Sequence, residues 1–473
     1  MFEEVVRHQA RVNPRGPAVI TPRRVINFQE FDTDIGRMAL QLHGAARPRA
    51  VAALCIDGLY EHLVARIALA RLGMATSSVP SGARKVKLEL LKPDLVVCGE
   101  GVELEAKDIV RVGGWRQAAP PDPSDEIVAK PKPEDPALVL TSSGTTGAPK
   151  RLALSRLTFD RWLHAFSMIL RVPRGARLAS MMGLDTGMGA AAPFLAWMRG
   201  GAYYVNLEAM TSPMVGRALR PNLMLAAPAQ LAAMLRFLPP EAKGFPGLSI
   251  MTGGAAVPSQ LLHAVHTRLT TDFYMGYGTS EVGPVSLGLA EAGRGIPGAA
   301  GFIDPWATVE IVGPDGEPAP PGEVGEVRVR SPYMAQGYLD EAKGGGFRDG
   351  WFYAGDLGRI EADGMLVIEG RVGETLNLGG VKLTFLTLEE AVAEELGVVE
   401  AGACEIREAG DLSTAWIGVV AAAGLDLAPL RRKLRSRFGV LPLEVVQVSE
   451  IPRNAMGKVD RDRLAVAISA ARR

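Results

Sequence analysis

Helical apolar periodicity alternating with short, strand-like apolar runs predicts an α/β fold for this 473-residue chain. The expected architecture is a large multi-layer N-terminal domain over residues 1–370, with a β-rich subdomain, and a small α+β C-terminal domain over 371–473. Three observations carry the prediction. The length exceeds what one ordinary hydrophobic core serves. Helix and strand signals alternate through the first 170 residues. Beyond residue 300 the texture changes to short β-like runs parted by Gly, Pro and Asp, and mixed α/β texture returns after Arg371.

The elements follow in order. Phe28, Phe31, Ile35, Met38, Ala39 and Leu42 recur at a helical period, and Val51 to Ile56 then reads as a buried strand. A helix around Tyr60 to Leu72, apolar runs at Leu95 to Cys98 and Ala137 to Leu140, and a helix around Phe159 to Leu170 continue the alternation. Ala118 to Pro136 is rich in Pro and charge and reads as an exposed connection. The β-like runs are Thr308 to Val312, Gly325 to Arg330 and Met365 to Glu369. In the last hundred or so residues a helix is expected at Leu388 to Glu395 and a strand at Ala415 to Ala421. There Leu430, Leu434 and Phe438 line one face of a helix whose arginines, Arg431, Arg432, Arg435 and Arg437, form a solvated face.

Composition narrows the function classes. Fifty-two acidic and 52 basic side chains cancel, which argues against a dedicated nucleic-acid or anionic-membrane binder and for small-molecule partners. Cys55, Cys98 and Cys404 are odd in number and far apart, as expected in a reducing compartment. The acidic start Met-Phe-Glu-Glu does not read as a signal peptide, and no run of 18 apolar residues appears, so a cytoplasmic protein without a membrane span is expected. Only His263 and His266 share a helical face among six histidines, so no zinc-type site is expected. Neither Gly-x-Ser-x-Gly nor Gly-x-Gly-x-x-Gly follows a strand-like run.

Four segments carry chemistry. Residues 140–150, Leu-Thr-Ser-Ser-Gly-Thr-Thr-Gly-Ala-Pro-Lys, suit a polyphosphate. Gly144 and Gly147 let backbone N–H groups approach phosphate oxygens, Thr141, Ser142, Ser143, Thr145 and Thr146 supply hydroxyl donors, and Lys150 adds a mobile charge. The spacing Gly-x-x-Gly-x-x-Lys is not that of a P-loop. Met275-Gly-Tyr-Gly-Thr-Ser-Glu-Val-Gly283 brings Tyr277, Gly278, Thr279, Ser280 and Glu281 into one stretch that can stack a base and hold Mg²⁺ beside phosphate. Tyr353-Ala-Gly-Asp-Leu357 offers Asp356 to a ribose diol, although Gly-Asp is also an ordinary turn pair. Ile451 to Arg461 presents Lys458 on a Gly-containing loop, which taken singly reads as a surface lysine.

In this order and spacing, the four segments resemble the adenylate-forming superfamily of acyl-CoA synthetases, nonribosomal peptide adenylation domains and firefly luciferase, with acyl-CoA synthetases the nearest in pattern. Gly253-Gly254-Ala255-Ala-Val-Pro258 is similar to that family's adenine-side loop, and Gly370 to Gly380 to its hinge and thiol-side loop. The resemblance implies a small C-terminal domain that rotates against a large one. It also implies a two-step reaction, in which a carboxylate attacks the α-phosphate of ATP to give acyl-AMP and pyrophosphate, and a thiol then attacks the mixed anhydride. Carried over by motif, Thr145, Thr146 and Lys150 would hold the pyrophosphate, Tyr277 would stack on adenine, Ser280 would contact the α-phosphate and Glu281 would bind Mg²⁺. Asp356 and Arg371 would fix the ribose. Lys458 would bridge carboxylate and α-phosphate, neutralising charge as two anions meet. The hinge would be Glu374, and Gly379 and Gly380 would face the thiol.

The chain departs from the family pattern at Ser280, usually Thr, at Glu374, more often Asp, and at Asn377, commonly Lys. None removes a group the first half-reaction needs, whereas Asn377 bears on the thiol step. The acid pocket is expected along Met181 to Phe194, with Asp185 and Gly189 as substrate-side residues. Asp185 is compatible with a carboxylic-acid ligase or with gripping an amino acid's α-amine, and Asp-Thr is equally a cap for the Ala-rich helix that follows. The resulting expectation is an ATP- and Mg²⁺-dependent ligase joining a small carboxylic acid to CoA. The alternatives are an adenylating enzyme that loads an amino or aryl acid onto a carrier protein, and an ATP-binding homologue without catalysis.

Overall fold

The computed structural model describes residues 1–120, 129–141, 150–205, 220–238, 245–340, 346–378, 381–393, 395, 397–407, 413–421, 425–438, 441–453 and 459–472. The chain divides into two compact units. The first comprises Met1–Leu225, Thr279–Pro284 and Ser331–Gly350, and the second Ala226–Gly278, Val285–Arg330 and Trp351–Arg473.

In the first unit, strands Val51–Cys55, Ala75–Ser78, Leu95–Gly99, Ile109–Val112 and Pro136–Thr141 run parallel, and Arg151–Ser155 closes the edge antiparallel. The Leu-, Val- and Ala-rich runs are buried on both faces, as parallel strands between helices must be. A second group of parallel strands, Pro17–Ile20, Arg177–Ser180, Ala202–Tyr204 and Leu223–Leu225, lies in the same unit. Helix Phe28–His43 begins at a capping box: Asn27 Oδ1 accepts from Glu30 N at 2.8 Å while Glu30 Oε2 accepts from Asn27 N at 3.0 Å. It buries Phe28, Phe31, Ile35, Met38, Ala39 and Leu42, the six residues of the apolar period. Helix Leu59–Arg71 is buried nearly all round, and Phe2, Phe159, Phe194 and Trp197 pack edge to face beside it.

In the second unit, strands Ser249–Gly253 and Phe273–Thr279 pair in parallel, with helix Ser259–Arg268 between them in the chain. The β-rich texture beyond residue 300 forms an antiparallel run of Thr308–Val312, Gly325–Arg330, Trp351–Ile360, Met365–Arg371 and Ala299–Ile303. The C-terminal part carries a three-stranded sheet of Val398–Arg407, Ser413–Ala421 and Leu443–Gln447 with helices Phe385–Ala393, Leu427–Phe438 and Arg461–Ala471. Leu388, Val392, Ile417, Val419, Leu430 and Leu434 build its core, and Arg431, Arg432, Arg435 and Arg437 are exposed. All three cysteines are buried and free. No helix among the described residues is long and apolar enough to cross a membrane.

Candidate active site

Strands Pro136–Thr141 and Arg151–Ser155 form a hairpin in which Thr141 faces Arg151 and Leu140 faces Leu152. Thr141, from which the glycine- and hydroxyl-rich sequence continues, therefore stands at the carboxyl end of a strand paired in parallel with Ala75–Ser78, where α/β sheets place ligands. Ser142, Ser143, Gly144, Thr145, Thr146 and Gly147 lie outside the described residues. Their flank is anchored: Leu339 N donates to Arg151 O at 2.9 Å, Arg151 Nε donates to Asp340 Oδ2 at 2.8 Å, and Arg151 Nη1 donates to Leu91 O at 2.9 Å. This anchoring brings the Tyr338 ring to 5.0 Å from Lys150 Nζ, a cation–π contact.

The same tyrosine reaches Glu281. Its hydroxyl donates to Glu281 Oε1 at 2.6 Å, and the Glu281 backbone is held by Ala335 N, which donates to its carbonyl at 2.7 Å, and by Thr279 Oγ1, which accepts from Glu281 N at 3.2 Å. Glu281 is 8% exposed. Among the described residues there is no group of three or more His, Cys, Asp or Glu side chains that could cage a metal. A single oriented carboxylate nevertheless fits Mg²⁺, which is held by one or two carboxylates with phosphate and water oxygens supplying the rest. Gly283 makes the bend that follows: its φ is +73°, and a Cβ there would lie 2.6 Å from Trp162 Nε1. That indole is fully buried and donates to Tyr333 O at 2.9 Å.

In the second unit, Tyr277 on strand Phe273–Thr279 donates its hydroxyl to Asp356 Oδ2 at 2.5 Å, and Arg371 Nε donates to Asp356 Oδ1 at 2.9 Å. Asp356 and Arg371 are register partners on neighbouring antiparallel strands, so the sheet itself sets their pairing. Gly355-Asp356 is not a turn, as the ordinary reading of the dipeptide has it. It sits inside the ten-residue strand Trp351–Ile360, with Gly355 at φ +68° and a bulge two residues on, which re-aims the carboxylate. Gly253 is the register partner of Gly276, whose carbonyl would lie 2.9 Å from a Cβ at 253, and Gly254 follows at φ +85°. Gly253, Gly254 and Ala255 thus leave the carboxyl end of a parallel strand beside the strand that carries Tyr277 and Gly278.

Thr279, Ser280 and Glu281 belong to the first unit, as does Asp185. The Asp-Thr pair divides its duties. Thr186 is the N-cap of helix Gly187–Met198, accepting from Gly189 N at 3.1 Å, while Asp185 Oδ2 accepts from Lys87 Nζ at 2.5 Å. Gly189 is required by close approach, since a Cβ there would meet Gly183 O at 2.0 Å, and Ala190 to Ala192 are fully buried. Helix packing rather than open space therefore accounts for the small residues of this stretch. Near this corner, buried His62 contacts Ser78 Oγ at 2.8 Å through Nε2, and burial pulls its pKa down to about 4.

Lys458, Gly379 and Gly380 lie outside the described residues. Glu374 precedes the hairpin of Thr375–Leu378 and Val381–Thr384, and its Oε2 accepts from Arg461 Nη2 at 3.2 Å. Arg461 also donates to Glu389 Oε1 at 2.7 Å and to Ala403 O at 2.6 Å, tying the residue before the hairpin to the helix and sheet that follow.

Three residues that serve these groups carry no signal in the sequence. Tyr338, Trp162 and Lys87 meet Glu281, Tyr333 and Asp185 across 57, 171 and 98 residues, and neither period nor spacing links them.

The chain is 28% identical to indoleacetate–CoA ligase of Aromatoleum aromaticum, across 98% of this chain and 97% of that protein. It is 25% identical to a dimodular nonribosomal peptide synthase of Bacillus subtilis, across 94% of this chain but 20% of that one. Its fold is that of the o-succinylbenzoate CoA synthetase MenE of Bacillus subtilis solved with AMP, with a TM-score of 0.83 at 20% identity, covering 98% of each chain. The AMP-binding enzyme family model matches residues 6–339, and the chain belongs to that family.

Proposed function

We propose that this protein is an ATP-dependent acid–thiol ligase that activates a carboxylic acid as its acyl-AMP and passes the acyl group to CoA. The observation that carries the reading is one short stretch of chain with two anchored ends. Tyr277 is fixed on the Asp356–Arg371 pair, and Glu281, four residues on, is fixed by the tyrosine that also lies against Lys150. The two anchored residues stand four apart in the sequence.

In the first step a carboxylate oxygen of the acid attacks the α-phosphorus, the bond from the α-phosphorus to the oxygen bridging it to the β-phosphate breaks, and pyrophosphate leaves. Tyr277, with the Gly253–Ala255 loop, supports adenine, and Asp356 accepts from the ribose hydroxyls while Arg371 holds its other oxygen. Glu281 would hold Mg²⁺, which screens the negative charge of the phosphates when bound. Thr145, Thr146 and Lys150 grip the departing pyrophosphate, and Ser280 donates to the α-phosphate. Lys458 places its ammonium between the carboxylate and the α-phosphate, offsetting the repulsion that is the main electrostatic obstacle to the step. In the second step a thiol sulfur bonds to the acyl carbon and AMP departs. A C-terminal domain over 371–473 turning about Glu374 would exchange Lys458 for the Gly379–Gly380 loop between the steps.

CoA is favoured as acceptor because the chain matches a free-standing CoA ligase along nearly its whole length, whereas it matches only one fifth of the peptide synthase. A cytoplasmic location fits the buried free thiols, as reduced cysteines persist there. The test is pyrophosphate release across a panel of acids, first without thiol and then with CoA or a carrier protein. Acid-dependent release in the first arm and thioester only with CoA in the second are expected. Release that ignores the acid would refute the proposal.

A further inference from the structure

Lys87 and Asp185 come from elements that the sequence does not connect, and they meet where two sets of parallel strands end. Helix Arg84–Leu91, which carries Lys87, follows the carboxyl end of strand Ala75–Ser78, and Met181 to Asp185 follows the carboxyl end of Arg177–Ser180. Both side chains are largely withdrawn from solvent, 18% and 23% exposed, and Nζ stands 2.5 Å from Oδ2.

The Asp185 corner is bound to the Glu281 corner by a shared platform. Gly187, two residues after Asp185, is so close to the Trp162 indole that a Cβ would lie 2.9 Å from Cζ3. Gly283, two residues after Glu281, presses on the same indole at Nε1. Trp162 is fully buried and anchored through Tyr333, so it fixes both corners at once. An acid whose carboxylate is presented to phosphate beside Glu281 therefore has Asp185 and Lys87 as nearby wall groups for its acyl body.

The charges of that wall cancel. Lys87 faces Asp185, Arg84 is paired with Asp57, and His62, buried against Ser78, is neutral near pH 7. An unpaired Asp185 would attract an ammonium group, and an unpaired Lys87 a second carboxylate. Joined, each has satisfied the other, and a charged acyl body entering here must give up hydration without a net counter-charge.

Resting on the acid-activating reading above, we infer that the Lys87–Asp185 ion pair is the specificity element of the acid pocket, selecting acids whose only charge is the reacting carboxylate and rejecting amino acids and diacids. Selection of this kind works by withholding a partner from the wrong substrate.

The test uses two matched sets of acids differing only in distal charge: hexanoate, 6-aminohexanoate and adipate, and 4-methylbenzoate, 4-(aminomethyl)benzoate and terephthalate. Pyrophosphate release is measured for the full-length protein and for Lys87→Met, Asp185→Asn and the double variant. The neutral acid of the better set should lead in the unaltered protein. Lys87→Met should shift kcat/KM toward the amino acid and Asp185→Asn toward the diacid, each by roughly tenfold or more relative to the neutral acid. The double variant, again without net charge, should restore the original order. Should a single variant unfold, the double variant still decides: the neutral acid must lead in it. An unaltered protein that prefers a charged acid, or rank orders that do not move in the single variants, overturns the inference. Activity on none of the six acids would count against acid activation itself, a result distinct from activity with unmoved preference.

Discussion

The Tyr338 hydroxyl donates to Glu281 Oε1 at 2.6 Å while the same ring lies against the Lys150 ammonium, so one side chain contacts both the carboxylate and the ammonium proposed to serve the phosphates. Tyr338→Phe keeps the ring and deletes the hydrogen bond to the carboxylate, a loss of about 1.5–3 kcal/mol where that bond is needed. The expected result is a higher Mg²⁺ requirement and kcat/KM for ATP lowered roughly tenfold or more, since about 1.4 kcal/mol is a factor of ten. Magnesium titration of pyrophosphate release checks it. An unchanged titration would show that Glu281 needs no such orientation.

Gly283→Ala should be disproportionately harmful for a single methyl. The residue sits at φ +73°, and its added Cβ would lie 2.6 Å from Trp162 Nε1, whose hydrogen bond to Tyr333 O cannot easily yield. Backbone strain and displacement together predict a loss of about 1–3 kcal/mol of stability. Because Glu281 is two residues away, activity should fall further than stability at temperatures where the variant remains folded. Thermal unfolding, alongside activity measured well below the new Tm, reads both effects.

His62 predicts a pH dependence of stability. Its folded pKa is pulled down to about 4 by burial, from 6.5 in the unfolded chain, so between those values the unfolded state holds a proton that the folded state lacks. The contribution is complete above 6.5, falls as pH drops, and is lost by about pH 4, amounting to about 3 kcal/mol across the window. Urea unfolding from pH 7 to 4 should show a shallower acid decline for His62→Gln than for the unaltered protein. Parallel profiles would remove His62 as a source of the slope.

The fold was largely legible because it is written in local periodicity. The six apolar positions of Phe28–His43 are its buried face, and the runs at Thr308–Val312 and Gly325–Arg330 are paired strands. The Gly355-Asp356 pair was less legible: Gly-Asp looks like a turn until register places Asp356 opposite Arg371 within a long strand. The candidate site was legible where its chemistry is clustered in sequence, as at Tyr277 to Glu281. It was illegible where packing at long range decides, because nothing near Lys87 signals Asp185 and nothing near Tyr338 signals Glu281. The Ala-rich stretch after Asp185 shows the same limit in reverse. Small residues read equally as space and as contact, and only the 2.0 Å approach of Gly183 O to a Cβ at Gly189 decides for contact.

Acid-dependent exchange of labelled pyrophosphate into ATP, compared between the unaltered protein and Lys458→Ala, isolates the first half-reaction from any thiol. The proposed role of Lys458 predicts exchange that requires both a carboxylic acid and Mg²⁺, and its loss by roughly a hundredfold or more in the variant while acyl transfer from supplied acyl-AMP to CoA persists, the magnitude expected when a preorganised charge is removed. Exchange that proceeds equally well in Lys458→Ala would contradict it.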